Sequence, residues 1–215
     1  MTTVTHQPLS EATRIVALTT AQGHLPMANA SAEETAFLAG IGMLVAELDG
    51  DDWTFGLHIA LSSLDQDRSV LVLEAAQVMR APGHVVGWQL AQTSIPALLT
   101  TAGEVAPQLA HAMLDDLAKL LACGSTDLAV DHGGAGAPEF GAYAEALGLP
   151  VRKLGREALF EAWQTGEMAP VGTMIASELL AIMHLALLAA GPAKASARRD
   201  LGRWLAWQRR LGTDL

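Results

Sequence analysis

The chain has 215 residues, of which 51% are apolar and only 17% charged, with a formal net charge of −10 and one cysteine. That length buries a sizeable core without a disulfide or metal staple, and the composition excludes a disordered chain. A single thiol excludes an internal disulfide framework and a cysteine-only metal cage.

Alanine and leucine dominate, while valine, isoleucine and aromatic residues are sparse, a balance that favours helix over strand. Ser10 caps a first predicted helix that runs to Thr20 and carries Ile15, Val16 and Leu18, and the Gly and Pro of 23–26 break it. Ser31 and Glu34 have capping-box spacing. After them Phe37, Leu38, Ile41, Leu44, Val45 and Leu48 recur at a helical period, and the run Asp49, Gly50, Asp51, Asp52 ends the segment. A short helix is predicted over 53–64. The run 69–73 is strand-like, but Glu74, Ala75, Ala76 and Gln77 continue it smoothly, so helix is preferred there. Ala81, Pro82 and Gly83 are a stop. A further segment spans 85–93, and Pro96 starts or kinks the next one.

Residues 107–121 carry Leu109, Met113, Leu114, Leu117, Leu120 and Leu121 on one face and predict a strong helix. The glycine-rich stretch 124–138 is the longest irregular segment. Two short helices follow over 139–147 and 154–163. Residues 168–191 are almost uncharged and long enough to span a bilayer, yet Glu178 and His184 interrupt them. They are read as a buried core helix, with no transmembrane span. A basic helix closes the chain. Together these elements predict an all-α fold: one globular bundle of about eight to ten helices over 1–215, without an extended sheet, and with a subdomain seam in the glycine-rich loop 124–138.

The candidate chemistry is sparse. Glu104 and His111 lie two helical turns apart on one face, which makes them candidate metal ligands, although the Glu-x-x-His signature of di-iron bundles is absent. Glu178 and His184 stand in the most apolar stretch and are the candidate catalytic or ligand-anchoring residues, because a buried carboxylate must be paired or protonated. As a paired core group, Glu178 predicts a loss of stability on Glu178→Gln. Cys123 follows a helix C-terminus, an environment that disfavours a thiolate. The Gly133, Gly134, Ala135, Gly136 run lacks the Lys and hydroxyl residue of a phosphate loop. No cofactor is called for.

Charge is unevenly spread. Residues 194–215 hold six of the thirteen basic side chains, against Asp200 and Asp214 alone. The acidic remainder argues against a nucleic-acid partner, whose phosphates need a broad basic surface. In the terminal helix, Leu201, Trp204, Leu205, Gln208 and Leu211 form a stripe bordered by arginines. Arg198, Arg199, Arg203, Trp204, Trp207 and Arg210 are therefore the candidate partner-binding residues, since Trp and Arg are the usual interface anchors. Such a helix either docks on its own domain, enters a partner's groove, or makes a peripheral membrane contact.

The leading expectation is a non-catalytic accessory, adaptor or assembly-chaperone-like protein that binds another protein, or itself, through apolar surface and this helix. Redox-enzyme maturation chaperones share its size and acidity. Where their Pro-x-Asp-His run would fall, however, this chain reads Pro170, Val171, Gly172, Thr173, so no membership is assigned. The alternative is a helical enzyme or small-molecule-binding protein with an apolar pocket that uses buried Glu and His. The N-terminal residues have no basic region followed by an apolar core, and the expected location is cytoplasmic.

Overall fold

The computed structural model describes residues 7–24 and 36–210. It overturns the all-α expectation. Strands β1 (Arg14–His24), β2 (Ala36–Asp49), β3 (Asp52–Leu61), β4 (His84–Gly87) and β5 (Ser125–Asp127) form one mixed sheet in the order β3-β2-β1-β4-β5. β1, β2 and β3 are an antiparallel meander, whereas β4 pairs parallel to β1 and β5 parallel to β4. Three segments read as helices in the sequence are thus the first three strands. The capping box at Ser31 and Glu34 lies outside the described residues.

The physical reason is burial on both faces. A central strand covered on both sides reads as a continuous apolar run, without the alternation that marks a half-buried strand. In β2 every residue from Phe37 to Ala46 is buried, and spacings of three and four can be drawn through such a run as easily as spacings of two. The strand-compatible feature was Gly40 and Gly42, each of which weakens a helix by about 1 kcal/mol. β3 does alternate: Trp53, Phe55, Leu57, Ile59 and Leu61 pack toward one layer and Thr54 and His58 are exposed on the other side. The run of acidic residues before it is a hairpin, with Asp49 paired to Asp52 and Gly50 at φ +60 in the first turn position.

Helices cover both faces. On one side α1 (Ser69–Met79), α2 (Ser94–Gly103) and α3 (Pro107–Cys123) bury Leu71, Met79, Leu98, Met113 and Leu120 against Val16, Leu18, Ile41 and Val85. The helix preferred over 69–73 is α1. On the other side lie α4 (Phe140–Ala146), α5 (Arg156–Thr165), α6 (Ala169–Ala189) and α7 (Ala195–Arg210). α6 is the one described helix long and apolar enough to cross a membrane, and here it lies across the sheet with Val171, Ile175, Leu179, Ile182 and Met183 buried. Its approach depends on glycine: a Cβ at Gly42 would lie 2.1 Å from Ile175 and 2.8 Å from Leu179. A bulge leaves Ala39 without a partner on β1, so that beyond it Phe37 turns to the α6 side and stacks on Trp163, with ring centroids 4.3 Å apart.

The seam expected at 124–138 is a short strand, β5, followed by two 3-10 turns over 130–132 and 134–136.

Candidate functional site

In an open α/β sheet, ligands favour the crevice beyond the carboxyl ends of the strands, where the strand order switches direction. Here that point lies between β1 and β4, and on its β4 side the residues after the strand are bonded to β5 and the segment beyond it. Gln89, at φ +50 just after β4, gives its backbone N–H to Asp127 Oδ1 (2.8 Å), and its side-chain amide donates to the Ala137 carbonyl (3.1 Å). The Trp88 indole donates to the Pro138 carbonyl (3.0 Å) and stacks on Tyr143, while the Tyr143 hydroxyl meets His132 Nε2 at 2.9 Å. The glycine run makes no anion cradle, because the N–H groups of Gly133, Gly134 and Gly136 all bond to backbone carbonyls. Cys123 bonds the Lys119 carbonyl, so it and His132 each have other partners.

Glu178 and His184 are placed apart. The Thr19 hydroxyl on β1 donates to Glu178 Oε2 at 3.0 Å. Burial against the sheet pushes the Glu178 carboxyl up to about 7, and the Thr19 bond only partly opposes this. His184 lines a cleft along α6. Glu104 pairs instead with Arg68, and His111 is exposed on α3, so these two are not brought together as ligands. Among the described residues no group of three His, Cys, Asp or Glu is placed to hold a metal ion.

The terminal helix docks on its own domain. Its predicted stripe faces inward: Leu201 is buried, Trp204 lies 6.0 Å from Phe55, and Leu205 and Gln208 are partly covered. Leu211 lies outside the described residues. Asp200, also buried, accepts the Trp53 backbone N–H (3.3 Å) and pairs with Arg203 (3.1 Å) and Arg199 (3.4 Å). Just before α7, the buried Lys194 ammonium donates to the Ala12 carbonyl (2.5 Å) and sits 4.8 Å from the Trp53 ring centroid, where desolvation lowers its pKa. Arg198 is partly covered, Arg210 is exposed, and Trp207 is 53% exposed. Deleting residues 197–215 uncovers this seam. The expected result is a Tm lower by roughly ten degrees or more, since truncating one buried Leu already costs about 2–5 kcal/mol and each kcal/mol moves Tm by about 2–4 °C at this size. A truncated protein that melts unchanged would remove the self-docking account.

Docking α7 beside α6 leaves a cleft of about 390 Å³ between these helices and the segment 149–152. Leu149, Pro150, Leu180, Ala181, Leu201 and Leu205 make its apolar walls, and Thr173, Ser177, His184, Arg152 and Arg209 supply its polar groups. The Arg152 backbone N–H donates to Ser177 Oγ at 2.9 Å, and that hydroxyl in turn donates to the Met174 carbonyl at 2.8 Å, which ties the segment to α6. Arg152 and Arg209 are not among the candidates chosen from the sequence. In the sequence Arg209 counts only within the basic tail and Arg152 not at all, because they line one cleft only through the packing of α7 on α6.

Compared with protein-family models, with curated proteins and with solved structures, the chain matches none of them.

Proposed function

We propose that this chain is a binding protein for a small amphipathic molecule held in the cleft between α6, α7 and segment 149–152. The observation that carries this reading is the cleft's wall, a mainly apolar recess with a few convergent polar groups and a volume within the usual range of ligand sites. On this reading the terminal helix acts through its inner face, with Leu201, Leu205 and Arg209 contributing to the recess. A protein-partner role for the same helix rests on the exposed Trp207, since Trp204 faces Phe55 and Arg199 and Arg203 are paired with Asp200.

The test is independent of ligand charge. A neutral apolar dye such as Nile red is expected to bind the native protein and to lose its site in Leu205→Trp, which fills the recess from α7. Tm should change by no more than a few degrees, because Leu205 is only partly covered. Dye binding that survives in Leu205→Trp overturns the proposal.

A further inference from the structure

We infer that the occupant of this cleft is an anionic amphiphile, a short apolar body ending in an oxyanion head of the carboxylate or phosphate class, with Arg152 and Arg209 holding the head. The inference rests on the cleft reading above and adds the chemistry of the ligand.

The charge pattern carries it. The chain has 23 acidic and 13 basic residues, so an arginine here has carboxylates in excess to pair with. In two other grooves that pairing has happened. Arg14, in the groove beside β2 and β3, bonds Glu47 (2.6 Å) and the carbonyls of Val78 and Ala81. Arg203, in the aromatic groove of Trp53, Phe55, Trp204 and Trp207, is taken by Asp200. The cleft between α6 and α7 differs: among the described residues no Asp or Glu lines it, and Arg152 and Arg209 make no ion pair, as Arg156, Arg198 and Arg210 also do not, so what sets these two apart is the apolar recess they border.

Two guanidiniums thus border one apolar recess on an otherwise acidic molecule. Each offers a planar fork of donors that matches a carboxylate or phosphate. Their exposure places the head at the mouth, where it keeps water, and leaves the apolar body to the wall of Leu180, Ala181, Leu201 and Leu205. The backbone bond from Arg152 to Ser177 fixes the main chain that carries one of the two arginines against α6, while its guanidinium stays exposed at the mouth.

Calorimetric titration of the full chain with octanoate, octyl phosphate, octanol, octyltrimethylammonium, inorganic phosphate, and vesicles of mixed phosphatidylglycerol and phosphatidylcholine tests this. Octanoate or octyl phosphate is expected to bind about tenfold or more tighter than octanol, the cation least of all. The anion preference should shrink with salt and should fall about tenfold in Arg152→Gln and in Arg209→Gln, two exposed positions at which the fold is undisturbed. Octanol that binds as tightly as the anions, or arginine variants that keep the preference, overturns the inference and leaves the cleft reading standing. Inorganic phosphate that binds as tightly as octyl phosphate overturns the amphiphile. Failure of every eight-carbon ligand overturns the cleft reading as well, and binding to vesicles alone replaces both with a membrane surface.

Discussion

Gly42→Val is expected to lower Tm by about 8–16 °C. Gly42 stands in the middle of β2 directly beneath α6, where a Cβ would overlap the Ile175 side chain at 2.1 Å and Leu179 at 2.8 Å. Neither can swing away, because both are fully buried. Relief therefore requires α6 to lift from the sheet, and α6 is also one wall of the cleft. Overpacking usually costs about 1–3 kcal/mol and sometimes more. A branched side chain in direct overlap belongs at or beyond the upper end, about 4 kcal/mol, which at roughly 2–4 °C per kcal/mol for a chain of this size gives the stated range. Gly202→Ala in α7 is the control: a Cβ there meets nothing within 4 Å, so the expected effect is a small gain, up to about 1 kcal/mol, from helix propensity. Thermal melts of the two variants side by side decide the matter, and a Gly42→Val protein that melts with the native one would mean that α6 does not sit on β2 as described.

Glu178→Gln is expected to raise stability at pH 8 and to leave it nearly unchanged at pH 5. The carboxyl is pushed from its ordinary 4.5 up to about 7 by burial, so the folded state prefers the protonated form. Between pH 4.5 and 7 the unfolded chain releases this proton while the folded chain retains it. Native stability therefore falls as pH rises through that window and is flat, with respect to this group, beyond it. At 1.36 kcal/mol per pKa unit the full effect is about 3 kcal/mol. Gln keeps an oxygen to accept the Thr19 hydroxyl but has no proton to lose. Chemical denaturation at pH 5, 6, 7 and 8 should show the two proteins converging at low pH and diverging upward, with the variant the more stable. This reverses the sign expected for a charge-paired core residue, because the partner on β1 is a hydroxyl and not a cation. Parallel pH curves for native and variant would dismiss the protonated carboxyl.

What the sequence displayed and what it concealed divide along a physical line. The helices of the α1–α3 layer were legible where one face is apolar and the other polar, as in 107–121. α6 was legible as a long apolar helix from its length and lack of charge, which suit a membrane span equally well, and Glu178 and His184 within it are what favoured the buried reading. β1 and β2 were concealed by covering on both faces, which erases period two. β3 and its hairpin were not concealed. Trp53, Phe55, Leu57, Ile59 and Leu61 alternate, and the Gly50–Asp51 turn before them is a hairpin signal that serves equally as the end of a helix. At the site, the inward stripe of α7 was legible from Leu201, Trp204 and Leu205. The placing of Arg152 and Arg209 on one cleft was not, since 57 residues separate them and only the packing of α6, α7 and one connecting segment brings them to the same recess.

The ten consecutive buried residues of β2 have a consequence for the ribosome. They leave the exit tunnel with β1 and β3, as a meander that is oily on both sides, and α1 to α3 can shield only one of them. The cover for the other, α6, begins at Ala169, about 120 residues after β2 ends at Asp49. At a synthesis rate of about 5–20 residues per second, that face waits on the order of 6–24 s for its lid. During that interval the nascent chain carries an uncovered apolar sheet face, the kind of surface that makes folding intermediates prone to aggregate.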